Sequence, residues 1–175
     1  GVGSVVVAKG VAAQSISGHV RRASDSTPVA HGRVVVRYNG DWRLLEADGS
    51  FTIPIYSPGS YQLRAYGGDL LVSEGYPSAP CFSNASTHDW SCDGELQSVT
   101  VAAGQQVENI DFSLNDAAVL AGIVVDDETG APIPSAVVSA MHAGATPEPT
   151  SVRIISADAA GRYRIAGLSP GAWRL

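Results

Sequence analysis

Cys81, His88 and Cys92 are the residues whose types and spacing come nearest to a metal site. Two thiolates and an imidazole, with Asp89 or Asp93 as fourth ligand, would satisfy zinc on paper. Structural zinc sites use closely spaced ligand pairs, however, and no Cys-x-x-Cys occurs. Two cysteines in one Pro/Ser/Asn-rich loop of a β-rich chain point instead to a Cys81–Cys92 disulfide and to an oxidising compartment. The other histidines, His19, His31 and His142, stand in neither His-x-x-Glu nor His-Glu-x-x-His spacing, so a peptidase-type metal centre is not expected. Serine catalysis lacks its Gly-x-Ser-x-Gly elbow. The acidic run Asp126-Asp127-Glu128 has oxygen ligands for calcium but no spaced series, and reads as a solvated loop. Lys9, the only lysine, lies in an Ala-Lys-Gly turn whose second copy carries Ala103, which argues against an isopeptide cross-link.

The tryptophans offer a different chemistry, stacking on a sugar ring. Trp173 falls at a repeated strand position matched by Tyr61 and is assigned to the core. Trp42 opens a strand after a turn and Trp90 sits in the cysteine loop, so these two are expected at the surface. With Tyr76 they form the candidate carbohydrate surface. Asn84-Ala85-Ser86 fits a glycosylation sequon. No catalytic residue, cofactor or metal is expected, and the chain is not read as an enzyme.

The elements that must position these residues are short strands. ISGHVRR (16–22), RVVVRY (33–38), WRLLEA (42–47), SFTIPI (50–55) and YQLRAY (61–66) alternate or are β-branched. Asn39-Gly40 predicts a two-residue hairpin turn. Pro54 cannot donate to a ladder, so its strand should lie at an edge there or turn its N–H side outward. LLVSEGY (70–76) is a further strand candidate, 77–97 reads as an irregular excursion held by the disulfide, and TPEPT (146–150) as a Pro-rich turn. No helical period extends over eleven residues. The net charge of −6 offers no basic patch for nucleic acid. No apolar run is long enough to span a bilayer as a helix.

Three stretches recur. SVVVAKG (4–10) returns as SVTVAAG (98–104), the pattern of residues 16–36 returns in 120–138, and DGSFTIPIYSPGSYQL (48–63) returns without a gap as AGRYRIAGLSPGAWRL (160–175). Self-similarity at this length predicts a tandem of small domains. The chain divides into a lead-in strand or tail of a preceding unit (1–14), a first unit (15–116) bearing the cysteine loop, and a second unit (117–175). The second unit stops at the match to Leu63. This predicts that Val124, Val138, Ile154, Ile165 and Leu175 are less covered than their counterparts, and that either the natural chain continues past Leu175, which is the favoured reading, or the second unit borrows cover from the first. Gly49, Gly161, Gly59 and Gly171 should all occupy positive-φ turns.

Gly122-Ile123-Val124, Thr129–Pro134, Ala136–Val138, Asp158–Tyr163 and Leu168–Leu175 resemble the carboxypeptidase regulatory-like domain, with a looser copy in the first unit, where Thr27-Pro28-Val29 replaces the fuller loop. The resemblance implies an all-β fold of tandem transthyretin-like (Ig-like) sandwiches, the second truncated. It implies a non-catalytic accessory module of a bacterial secreted, periplasmic or cell-envelope protein, acting as spacer or docking domain. Its partners would be neighbouring domains of the same polypeptide, or protein or carbohydrate at the cell surface. The alternative function is the carbohydrate-binding module described above.

Overall fold

Alternation decides the first strand. In β1 (Gln14–Arg22) Ile16, Gly18 and Val20 turn inward, and His19 and Arg21 face out. The same rule, with turns supplied by Asp-Gly and Ser-Pro-Gly, produces β2 (Arg33–Val36), β3 (Trp42–Leu44), β4 (Ser50–Ile55), β5 (Gly59–Tyr61) and β6 (Leu63–Tyr66). There follow β7 (Glu74–Gly75), β8 (Ala79–Ser83), β9 (Trp90–Cys92), β10 (Val99–Val101), β11 (Gln106–Val107) and β12 (Phe112–Leu114). The last five are β13 (Ala118–Ile123), β14 (Val137–His142), β15 (Val152–Ser156), β16 (Arg162–Leu168) and β17 (Trp173–Arg174). The structure, a computed structural model, describes residues 14–37, 41–83, 90–143 and 152–175, and among these there is no helix. The lead-in before Gln14 with Lys9, the Asn39-Gly40 turn, the Asn84-Ala85-Ser86 sequon, His88, Asp89 and the 146–150 turn lie outside the described residues.

Residues 14–114 build a β-sandwich. In one layer β1 pairs antiparallel with β4 and parallel with β11 and β12. The other layer has the order β3-β2-β6-β7-β8-β9, and β10 pairs with β5. Ile16, Val20, Phe51, Ile53, Phe112 and Leu114 meet Val34, Val36, Leu63 and Ala65 in one buried cluster, which Val99 and Val101 of β10 complete. Each fully buried side chain of this kind contributes about 1.5–3 kcal/mol. Pro54 lies in β4, whose one ladder among the described strands is with β1, so its missing N–H is tolerated.

The expected elements need correction in two places. The 70–76 candidate is a strand only at Glu74–Gly75. The 77–97 excursion is not irregular throughout: β8 and β9 form a hairpin with Cys81 directly opposite Cys92, and this hairpin extends the sheet. Alternation in APCFS and WSC is too short to register against Pro, Ser and Asn in the same stretch.

Residues 118–175 repeat the geometry of 16–62. The Val20 N–H donates to the Gly49 carbonyl at 2.8 Å and the Val29 N–H to the Val20 carbonyl at 3.0 Å; Val124 to Gly161 at 2.8 Å and Ile133 to Val124 at 2.9 Å are the same bonds. Gly18 lies opposite Phe51, and Gly122 opposite Tyr163. The bridge Arg21–Pro28 is matched by Val125–Pro132. Tyr61 donates its hydroxyl to the Ser57 carbonyl, and Trp173 its indole N–H to the Ser169 carbonyl. β13 pairs with β16, and β14 lies between β15 and β17.

The covering layer differs. Val20, Val34 and Leu63 are fully buried. Their counterparts Val124 and Val138 are half-buried, and Leu175 is 64% exposed. Ile165, expected to be open, is buried in a small cluster with Ala140 and Leu168. Ile154, opposite Ser139, is 69% exposed, and Ile155, opposite the half-buried Val138, is 36% exposed. Of the four turn glycines, Gly49 (φ 78°), Gly161 (φ 70°) and Gly171 (φ 145°) have positive φ, and Gly59 does not. Gly59 is held in β5 opposite Val101, whereas no described strand pairs with Gly171.

A Cβ at Gly161 would meet the Pro132 side chain at 3.1 Å and the Ile133 nitrogen at 3.2 Å, as well as colliding with the Val124 carbonyl. Gly161→Val combines this crowding with an unfavourable φ. It should therefore destabilise the 118–175 strands by more than the roughly 1 kcal/mol of an unstrained glycine change. Denaturant melts, with amide exchange at Val124 as the local reporter, check this. An unchanged melt and a still-protected Val124 amide would show that the corner is not required.

Candidate functional site

The disulfide is the organising feature of the outer face of the six-stranded layer. Cys81 and Cys92 sit across the β8–β9 pair with Cα atoms 4.0 Å apart and are joined as expected. Beneath them lies Gly75, where a Cβ would meet the Cys81 Sγ at 2.9 Å and the Cys92 Sγ at 3.3 Å, so only glycine fits. Closing a loop of this length contributes roughly 2–3 kcal/mol by restricting the unfolded chain.

Register carries the same face onward. Gly75 pairs with Arg64, Arg64 with Val35, and Val35 with Trp42. Arg64 is 5% exposed. Its guanidinium lies 5.5 Å from the centre of the Trp90 ring, and Arg37 lies 5.2 Å from the same ring. The Arg64 Nε and Nη1 are buried without a hydrogen-bond partner. Burial, with Arg33 and Arg153 nearby, brings the Arg64 pKa down to about 10. Arg33 stacks over Tyr66, whose hydroxyl donates to Asp69 at 3.2 Å.

Asp69 is where the two strand sets meet. Its carbonyl accepts the Gly167 N–H at 3.1 Å, and its carboxylate lies 3.8 Å from Arg164. The connecting residues are clamped from the same side. The Val72 N–H donates to the Asn115 carbonyl and the Ala117 N–H to the Leu70 carbonyl. Glu74, 1% exposed, accepts from the Asn115 side-chain amide at 2.8 Å and its backbone N–H at 3.3 Å. Burial raises the Glu74 pKa, and the two Asn115 bonds oppose that rise.

The three aromatic candidates are not brought together. Trp42 is 50% exposed on β3, beside a shallow depression lined by Asp41, Arg43, Leu44 and Glu46. Trp90, expected at the surface, is 4% exposed, with the guanidinium groups of Arg37 and Arg64 stacked against its ring. Tyr76 turns to the opposite side of the layer, edge-on to Phe112 in the core at 5.9 Å. The acidic run is occupied locally: one Asp126 carboxylate oxygen accepts the Glu128 N–H, the Thr129 N–H and the Thr129 hydroxyl. Those bonds hold the Asp126 carboxyl below its ordinary range. Sequence reasoning missed Arg64, Glu74 and Asp69. Arg33, Arg37 and Arg64 alternate with core residues in RVVVRY and YQLRAY, which placed them on one face. Nothing in the sequence indicated that this face would be covered.

No family model matches the chain, and no curated protein does. Among solved structures, a streptococcal ancillary pilin is similar at 12% identity and a TM-score of 0.36, over 94% of this chain and 53% of the pilin chain. The chain therefore spans about half the length of that protein.

Two substitutions test the electrostatics. Replacing a buried, incompletely bonded cation with an apolar side chain of similar length is commonly neutral or stabilising by about 1–4 kcal/mol. The cation–π contact it removes contributes about 0.5–2 kcal/mol. Arg64→Met should accordingly leave the melting temperature unchanged or raise it. A large loss would mean that the stack outweighs the desolvation. Because the folded-state pKa of Glu74 is raised, its contribution is fully favourable below the ordinary value of 4.5 and is lost as pH rises through the folded value. Glu74→Gln keeps an acceptor for Asn115 and removes the charge. It should melt above the parent at pH 7 and level with it at pH 4 in paired thermal scans.

Proposed function

We propose that the chain is a non-catalytic structural and interaction module of an exported protein. In this reading it consists of two transthyretin-like sandwiches of the carboxypeptidase regulatory-like kind, over 15–116 and 117–175, that hold neighbouring parts of one polypeptide at a fixed separation and angle. The observation that carries it is the junction. A connector a few residues long is bonded at successive residues to Leu70, Val72 and Glu74, and Asp69 reaches across to Gly167 and Arg164. Freely jointed modules need no such set of bonds. The repeated corner at Gly49 and Gly161 supports reading the two strand sets as copies of one design. The disulfide supports an oxidising, exported setting.

A second reading keeps a carbohydrate ligand, moved to Trp42. That indole is half exposed beside Asp41, Arg43 and Glu46, an aromatic face with polar groups at its rim. Retention on a glycan array that Trp42→Ala abolishes would favour it over the spacer.

For the spacer, backbone ¹⁵N relaxation on the whole chain is the direct measurement. Residues 16–114 and 118–175 should share one rotational correlation time. In Asp69→Ala/Asn115→Ala the 118–175 set should tumble faster and independently. Two separate correlation times in the parent would refute the rigid junction.

A further inference from the structure

Arg64 is a buried cation with donors to spare. It is 5% exposed, and neither its Nε nor its Nη1 has a hydrogen-bond partner. A guanidinium carries five N–H donors and no acceptor, and leaving buried donors unsatisfied costs most when they are charged. The Trp90 ring supplies a cation–π contact at 5.5 Å, but no acceptor oxygen. Arg37 lies against the same ring and differs, because its Nη1 donates to the Gln62 Oε1 at 2.8 Å.

Register gathers further cations around Arg64. Arg33 lies opposite Tyr66 and Val35 opposite Arg64. Arg33 and Arg64 are thus diagonal neighbours on one face of the β2–β6 pair, roughly 7–8 Å apart at the backbone. The second strand set brings Arg153 to the same place. The Arg153 Nη2 donates to the Gly167 carbonyl at 3.4 Å, and the Gly167 N–H donates to the Asp69 carbonyl at 3.1 Å. The Asp69 carboxylate in turn accepts the Tyr66 hydroxyl at 3.2 Å, under the Arg33 guanidinium. Burial is the main force lowering the Arg64 pKa, the charges of Arg33 and Arg153 add to it, and no carboxylate offsets them. Asp69, the carboxylate at this junction, acts on Tyr66, Arg153 and Arg164 instead. Guanidinium groups from both strand sets therefore converge on one spot, in a chain whose net charge is −6.

We propose that this junction binds a small doubly charged oxyanion of the sulfate or phosphate class, held by Arg33, Arg64 and Arg153. Such an ion has only acceptors, which is what the Arg64 Nε and Nη1 lack, and charge-assisted bonds to guanidinium groups are the strong ones. Arg33 is exposed and Arg153 half-buried, so the ion enters from the Arg33 side. The near-complete burial of Arg64 restricts the occupant to a free ion. Because Arg153 belongs to the second strand set, the ion ties the two sets together where Asp69 already joins them. The seat needs only the contacts around Asp69 and Gly167, and holds whether or not the chain acts as a spacer.

Sulfate titrated into the full 175-residue chain near pH 7, with chloride withdrawn to hold the ionic strength, is the direct measurement. The Arg64 Nε–H resonance should shift and saturate with a Kd of about 1 mM or below. Arg64→Met and, separately, Arg33→Gln should each weaken binding at least tenfold, read at the Tyr66 and Gly167 amides. Arg33→Gln changes an exposed side chain, so its melt in chloride should stay with the parent. Sulfate in place of chloride should raise the parent's melting temperature by more than it raises that of Arg64→Met, which separates the bound ion from the general salting effect of sulfate. No saturable shift up to about 50 mM sulfate would overturn the proposal. Binding that Arg64→Met leaves undiminished would overturn it too, because the ion would then sit on the exposed Arg33 alone.

Discussion

The structure depends on one corner, a glycine with positive φ whose carbonyl receives the N–H of a residue near the end of the first strand. At Gly49 the bond comes from Val20, and at Gly161 from Val124. This corner sets the register of β1 on β4 and of β13 on β16, and register decides which side of each strand is buried. The corner also leaves no room for a side chain, since the first strand's carbonyl and the proline loop both press against the glycine. The aspartates beside it lock it: Asp48 accepts the Ser50 N–H, and Asp158 accepts the N–H groups of Ala160 and Arg162. A local backbone constraint thus propagates through register into the composition of the core.

The same corner appears with two different degrees of cover. Around Gly49, β10, β11 and β12 close the sandwich, and seventeen of the described residues are buried in one cluster. Around Gly161 three residues are, with Leu120, Val138, Tyr163 and Trp173 packed partly against them. Hairpin geometry therefore survives without a full covering layer, as expected when turns and ladders rather than the core set local conformation. A strand pair with an exposed apolar side is only marginally stable on its own in water. The Asp69 contacts to Gly167 and Arg164 then matter twice, since they fix the second set of strands in place and hide part of its surface.

Much of the fold was legible because its determinants are local. Alternation in ISGHVRR and SFTIPI, Asp-Gly at residues 48–49, and the gapless match of 48–63 to 160–175 fixed strands, turns and equivalences from nearest neighbours alone. The Cys81–Cys92 bond followed from spacing and composition. What escaped reading was long-range. Trp90 looked exposed because it sits among Ser, Asn and Asp, yet Arg37 and Arg64, more than twenty residues away in sequence, pack against its ring. Tyr76 looked like a partner for it, but a strand of two residues, β7, turns Tyr76 to the core. Gly59 and Gly171 both follow Ser-Pro and precede a small residue and an aromatic one, yet they differ in φ, and among the described strands β10 lies beside only Gly59.

The charges at the junction show why it is built from polar groups. Arg64 and Glu74 are both nearly inaccessible and lie on adjacent strands, but register puts Arg64 opposite Gly75 and Glu74 opposite Ala65, so they face opposite sides of the layer and do not neutralise each other. Each is compensated separately, Arg64 by the Trp90 ring and Glu74 by Asn115. An apolar pair would bury the same area at lower electrostatic cost. It would not hold the connector, because only an acceptor at position 74 can satisfy both the backbone and the side-chain amide of Asn115. The desolvation at Glu74 is thus the local cost of a connector whose direction is set by hydrogen bonds, and hydrogen bonds, unlike apolar contact, specify an angle.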